Sequence, residues 1–173
     1  MENNFQLIFQ DYLSPDNNIR VQAENKINEI ISKDDPNNLD ILYYNLSNNN
    51  TNNQIKLFIA LLLKKIFDKI QDKNLNNYRN YIRNKKNYII NVILNSNNDI
   101  KTTNILVLSL SKAIEIFKTN DYQTEHIQIF IEVLSLIFKF YNENKIINNN
   151  YSKAFLSLFV IFKFLKYIQL NLS

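Results

Sequence analysis

Arg79, Arg83 and Lys86 stand at i, i+4 and i+7, with Tyr78, Tyr81 and Tyr88 beside them. That spacing puts three cations on one helix face among aromatic rings. Cations for phosphate and rings for base stacking are the ingredients of a nucleic-acid surface. The formal net charge of +4 argues against that use. Nucleic-acid modules carry a much stronger basic footprint, so the row reads as a solvated face and a nucleic-acid partner is disfavoured.

Other chemistry is harder to assemble. Asp34 and Asp35 adjoin Pro36 in a polar break, where paired carboxylates read as turn formers rather than a catalytic dyad. His126 is the single histidine and cysteine is absent, which excludes disulfides and thiolate metal sites and leaves His126 without metal-binding company. Glycine is absent as well. Phosphate-binding loops, dinucleotide fingerprints and nucleophile elbows all need it for close backbone approach. The chain is therefore read as a non-enzyme with no cofactor and no bound metal. Absence of glycine also argues against hairpin-rich or doubly wound folds. Part of that depletion reflects codon bias, since the abundant Asn, Ile, Lys, Tyr and Phe all use AT-rich codons.

The elements that remain are helices. Apolar residues recur at helical spacing in eight stretches, separated by Asn-rich or Asp/Pro breaks. The first, near 3–13, shows Phe5, Ile8, Phe9 and Tyr12 on one face. The second, from Pro15 or Asp16 to Ser32, aligns Ile19, Ala23, Ile27, Ile30 and Ile31. A short third helix near 38–46 turns Leu39, Leu42, Tyr43 and Leu46 inward. The fourth, near 53–71, has a narrow polar side of Lys56, Lys64, Lys65, Asp68 and Lys69, so neighbours must cover it on both flanks. A fifth is expected near 75–94, a sixth near 100–118 and a seventh near 124–142. The sixth gathers Asn104, Ser111, Lys112, Glu115 and Lys118 on its polar side.

The eighth helix, from Tyr151 to about Leu170, is apolar on nearly every side. Its run from Ala154 is close to the lower limit of about 17 residues for a membrane span. Lys163 and Lys166 lie inside it, each costing about 3 kcal/mol at a bilayer centre, so no membrane insertion is expected. The N-terminus has no basic segment leading into an apolar run and does not read as a signal peptide.

Eight helices make four pairs of about forty residues, the period of HEAT and armadillo units. The predicted fold is all-α, an α–α superhelix or solenoid of about four HEAT-like pairs. Its repeats fall near 3–33, 38–72, 75–118 and 122–171. No pair buries its own apolar face, so stacking must do so.

Two motifs stand in the first two pairs, Leu13-Ser14-Pro15-Asp16 with Arg20, Ala23, Glu24 and Ile27, and Lys56, Ala60, Leu62, Leu63, Lys64 and Lys65. With them these pairs resemble the N-terminal region of the importin-β (karyopherin-β) nuclear transport receptors. Leu13-Ser14-Pro15-Asp16, Arg20, Ala23, Glu24 and Ile27 follow the family pattern L-[SD]-P-[DN]-x-x-x-R-x-x-A-E-x-x-[LI]. Lys56, Ala60, Leu62, Leu63, Lys64 and Lys65 follow the second B helix of that family, with Ile59 in place of its first Ala and Leu57 in place of the usual Gln. The third and fourth pairs agree in helix order and length. Such a resemblance implies a receptor that shuttles between cytoplasm and nucleus. Its first repeats would grip a Ran-like small GTPase in the GTP form, and a full-length form would also hold a cargo protein and nuclear pore proteins. The exposed polar residues of the inner B helices would make the GTPase contact, with Arg20, Glu24, Lys64, Lys65 and Asp68 as candidates. The chain departs from these receptors in its mild basicity, in having no acidic loop, and in its short length. An eighth helix without a polar outer side reads as the bare end of a longer array, one that exposes an apolar patch and associates. A general HEAT-type protein-binding scaffold, unconnected with transport, is the other reading.

Overall fold

The computed structural model describes residues 2–33, 35–70, 75–95, 97–118, 123–148 and 150–170. It is all-α, with no strand among the described residues. The helices are α1 (Glu2–Tyr12), α2 (Asn17–Ser32), α3 (Asn38–Ser47), α4 (Asn53–Asp68), α5 (Leu75–Asn95), α6 (Ile100–Glu115), α7 (Gln123–Asn142) and α8 (Tyr151–Leu170). A π-helical turn, Glu143–Ile147, prolongs α7. The side chains of Phe5 and Ile31, expected on inner faces, lie outside the described residues, as does Asp34.

The Asn and Asp residues of the breaks explain where the even-numbered helices begin. Asp16 Oδ1 accepts the Asn18 amide at 2.7 Å and the Ile19 amide at 3.4 Å. Asn52 accepts from the Ile55 amide at 2.8 Å, Asp99 from Thr102 at 2.6 Å, and Asn150 from Lys153 at 3.1 Å. Each such cap satisfies amides that have no intrahelical acceptor and is worth about 1 kcal/mol. The Thr102 amide also holds the Asp99 carboxyl below its ordinary pKa.

Packing runs along two rows. α4 lies on α6 in the most extensive contact, and α6 lies on α8. α3 meets α5, and α5 meets α7, with α1 touching α3. The consecutive pairs α1–α2, α3–α4, α5–α6 and α7–α8 join the rows. Aromatic contacts reinforce these seams. Phe130 of α7 stacks on Phe164 of α8 at 5.5 Å between centroids, and Tyr12 of α1 stacks on Phe58 of α4 at 4.1 Å.

The first pair departs from expectation. α2 rests on α1 and makes no extensive contact with α4. Ala23 and Ile27 are buried, but Ile19 is 41% exposed. The inner stripe expected of α2 is thus only partly covered, while Phe9 and Tyr12 of α1 meet Phe58 of α4. α6 departs the other way. Its expected polar side is largely covered: Ser111 is buried and donates to the Leu108 carbonyl at 2.8 Å, and Asn104 accepts from the Tyr167 hydroxyl of α8 at 3.0 Å.

Lys56 is the sharpest departure in α4. The sequence places it on the polar side, yet it is 1% exposed. Ile55 and Ile59 share its burial in the first turns, where a cation also opposes the positive end of the helix dipole. Burial lowers its pKa. The unfolded chain therefore binds more protons than the folded one below the ordinary lysine value of about 10.4. The lysine's own contribution to stability should rise as pH climbs toward that value. Lys56→Met keeps the volume and removes the charge, and is expected to stabilise the fold at neutral pH. Thermal melts of both proteins from pH 7 to 10 check this: the variant melts higher at pH 7 and its lead over wild type narrows toward pH 10.

Candidate functional site

The basic row of α5 is spent inside the fold. Arg79 is 4% exposed; its Nε donates to the Ile116 carbonyl at 2.9 Å and its Nη1 to Asn76 Oδ1 at 3.1 Å. Arg83 forms an ion pair with Glu125 of α7 and lies over the Phe117 ring at 5.4 Å. Lys86 pairs with Glu132 of α7 at 3.3 Å. The rings are engaged too. Tyr78 is buried edge-on to Phe67 at 6.4 Å, and Tyr88 meets Tyr43 at 6.3 Å. A row that read as a solvated face is a set of bolts from α5 to α7 and to the end of α6. The feature that suggested phosphate binding is thereby consumed.

On the other flank α5 meets α3 around Asp40. The Tyr81 hydroxyl donates to Asp40 Oδ1 at 2.9 Å, and Lys85 Nζ lies 3.2 Å from the same carboxylate. Burial raises the pKa of Tyr81 and, to a smaller extent, of Tyr88. Tyr81 therefore stays a neutral donor at physiological pH. Asp40, Ile41, Tyr44, Lys85 and Tyr88 line a cleft of about 350 Å³. A second of about 390 Å³, toward Pro36 and Asn80, shares Asp40 and Lys85 with it. The arrangement joins an ion pair, a hydroxyl donor and apolar walls, and its volume can seat a side chain of another protein. Sequence reasoning passed over this cleft. Its only signal was an acidic residue on α3 and a lysine on α5, and nothing in their sequence separation pairs them.

The five residues selected for GTPase contact lie on two helices. Arg20 and Glu24 are exposed on α2, where Arg20 Nη2 donates to Asn17 Oδ1 at 2.6 Å. Half-buried Lys64 pairs with Asp68 at 2.8 Å along α4, with Lys65 exposed beside them. All but Lys64 are solvent-facing and so available to a partner. No hydrogen bond or ion pair among the described residues links the two groups, and α2 makes no extensive contact with α4. They form two separate polar rows rather than one cluster.

His126 is half-buried in α7 and its pKa is lowered, by burial first and then by Lys118. Among the described residues no group of three or more His, Asp or Glu side chains is placed to hold a metal. No helix among them is long and apolar enough to cross a membrane. Comparison with known proteins finds no matching family model, no matching curated protein and no matching solved structure.

Replacing Arg79 tests the bolted row. Arg79→Met leaves the Ile116 carbonyl without its charged donor and should cost about 1.5–3 kcal/mol in urea unfolding. Arg79→Lys should recover little of this, since an ammonium cannot reproduce the guanidinium fork. A loss within 0.5 kcal/mol for Arg79→Met, the range of ordinary surface changes, would contradict the assignment. In fluorescence anisotropy the wild-type chain should bind single-stranded oligonucleotides no more tightly than about 10⁻⁴–10⁻⁶ M at physiological salt, the range of non-specific contact.

Proposed function

We propose that the chain is a protein-binding α–α superhelix of HEAT-like pairs, and that it serves as the GTPase-facing N-terminal region of an importin-β-like nuclear transport receptor. The observation that carries this reading is the contact of alternate helices, α4 on α6 on α8 and α3 on α5 on α7. Stacked pairs with a period near forty residues need that adjacency, because each pair is covered by the next. The resemblance at Leu13-Ser14-Pro15-Asp16 has a physical counterpart: it is the α1–α2 corner, where Asp16 caps α2. Arg20 and Glu24 follow it on the exposed side of α2, and exposed Lys65 and Asp68 with half-buried Lys64 offer a second polar row on α4.

In this reading a Ran-like small GTPase in its GTP form docks across the two rows. Cargo and nuclear pore proteins would bind further repeats of a full-length receptor, which would work in cytoplasm and nucleus. The general scaffold reading draws on one specific observation. α2 does not seat on α4, so the two candidate rows are not braced as one surface.

Pull-down with Ran loaded with GTP or GDP separates the two. Retention of the GTP form alone is expected, with at least a tenfold loss in a Lys64→Glu, Lys65→Glu double variant, as expected when desolvated charge contacts are reversed. Equal retention of both forms, or none by a folded sample, would overturn the transport reading and leave the scaffold.

A further inference from the structure

We infer that the outer face of α7 and α8 is a dimer interface, on which a second copy of this chain docks about a two-fold axis. On α7, Glu125 and Glu132 mark the side turned to α5 through their pairs with Arg83 and Lys86. At 3.6 residues per turn, Ile127, Ile131 and Phe138 come out on the opposite side. They are 56%, 55% and 46% exposed. On α8, Tyr167 marks the side turned to α6 through its bond to Asn104. Phe155, Leu158, Phe162 and Leu165 emerge opposite it, the two phenylalanines 72% and 66% exposed. Their 3-4-3 spacing is that of a helix–helix seam.

The size and chemistry of this face fit a copy of itself. At these exposures the seven side chains amount to roughly 700 Å² of apolar surface, above the few hundred Å² usual for a monomer's patch. Two copies together would bury about 1,400 Å², within the range of a specific stable interface. Exposed Lys166 borders the α8 stripe one turn after Phe162, and no charged residue falls between the apolar residues of either stripe; depletion of charge marks interface cores. The opposite end of the molecule is a poorer match. The exposed Ile19 and Val21 of α2 are interleaved there with Arg20, Glu24, Lys26 and Glu29. An apolar end that matches itself better than the far end gives a closed pair, not an open head-to-tail chain.

The inference uses no residue of α2 or α4, but it competes with the transport reading for this face, since further repeats of a full-length receptor would cover it; the pull-down and the sedimentation experiment fail separately. Sedimentation velocity of the full chain from 1 to 100 μM should show a monomer–dimer equilibrium with the dimer dominant at the upper end. Phe155→Glu with Phe162→Glu should weaken dimerisation at least 100-fold while helical circular dichroism is unchanged. Should that variant misfold, Ile131→Lys on α7 is expected to shift the equilibrium the same way. A monomer at every concentration, which would leave the face to another protein or a further helix pair, overturns the inference. So does an open series of higher oligomers, or a dimer that both substitutions leave intact.

Discussion

α6 has to be covered on opposite sides at once, and most of the fold follows from meeting that need. Its buried residues include Leu106, Val107, Leu110, Ala113 and Ile114, together with Thr102, Thr103, Ser109 and Ser111. A single partner helix cannot enclose such a set. α4 and α8 do so together, and both are at least as apolar themselves. Ala60, fully buried on α4, has no side chain beyond Cβ to hold its neighbours apart. The odd-numbered helices then close the second row, and the Asx caps at Asp16, Asn52, Asp99 and Asn150 set where each even-numbered helix begins.

Polar groups determine how the second row is registered. α5 carries cations toward both neighbours: Lys85 to Asp40 of α3, Arg83 and Lys86 to Glu125 and Glu132 of α7. Half-exposed pairs of this kind add little stability individually. Arg79 differs because it is buried against a backbone carbonyl, where loss of the donor leaves an unsatisfied acceptor. The cleft at Asp40 is a by-product of the same registration, formed where α3 and α5 are held together by a carboxylate between Tyr81 and Lys85.

Helix number and order were legible in the sequence because Asn-rich breaks interrupt strong helical periodicity. The inward residues of α3, Leu39, Leu42, Tyr43 and Leu46, are all buried as the period requires. What the pattern could not supply was which polar residues a neighbour would cover. Lys56, Arg79 and Ser111 carry polar groups and were assigned to outer faces, yet tertiary contacts enclose them. Ile19 failed in the opposite sense, since periodicity marks an apolar face without saying that a partner reaches it. The candidate GTPase residues were chosen from a resemblance and from their helices. Their exposure follows from the helical pattern, but the pattern could not show that α2 and α4 share no extensive contact.

Native-state hydrogen exchange measures this hierarchy most directly. The slowest amides should belong to α4 and α6 and open only with global unfolding, while α2, whose extensive contact is with α1, should exchange well before them. Protection of α2 equal to that of α4 and α6 would contradict the account, because α2 shares no extensive contact with either helix.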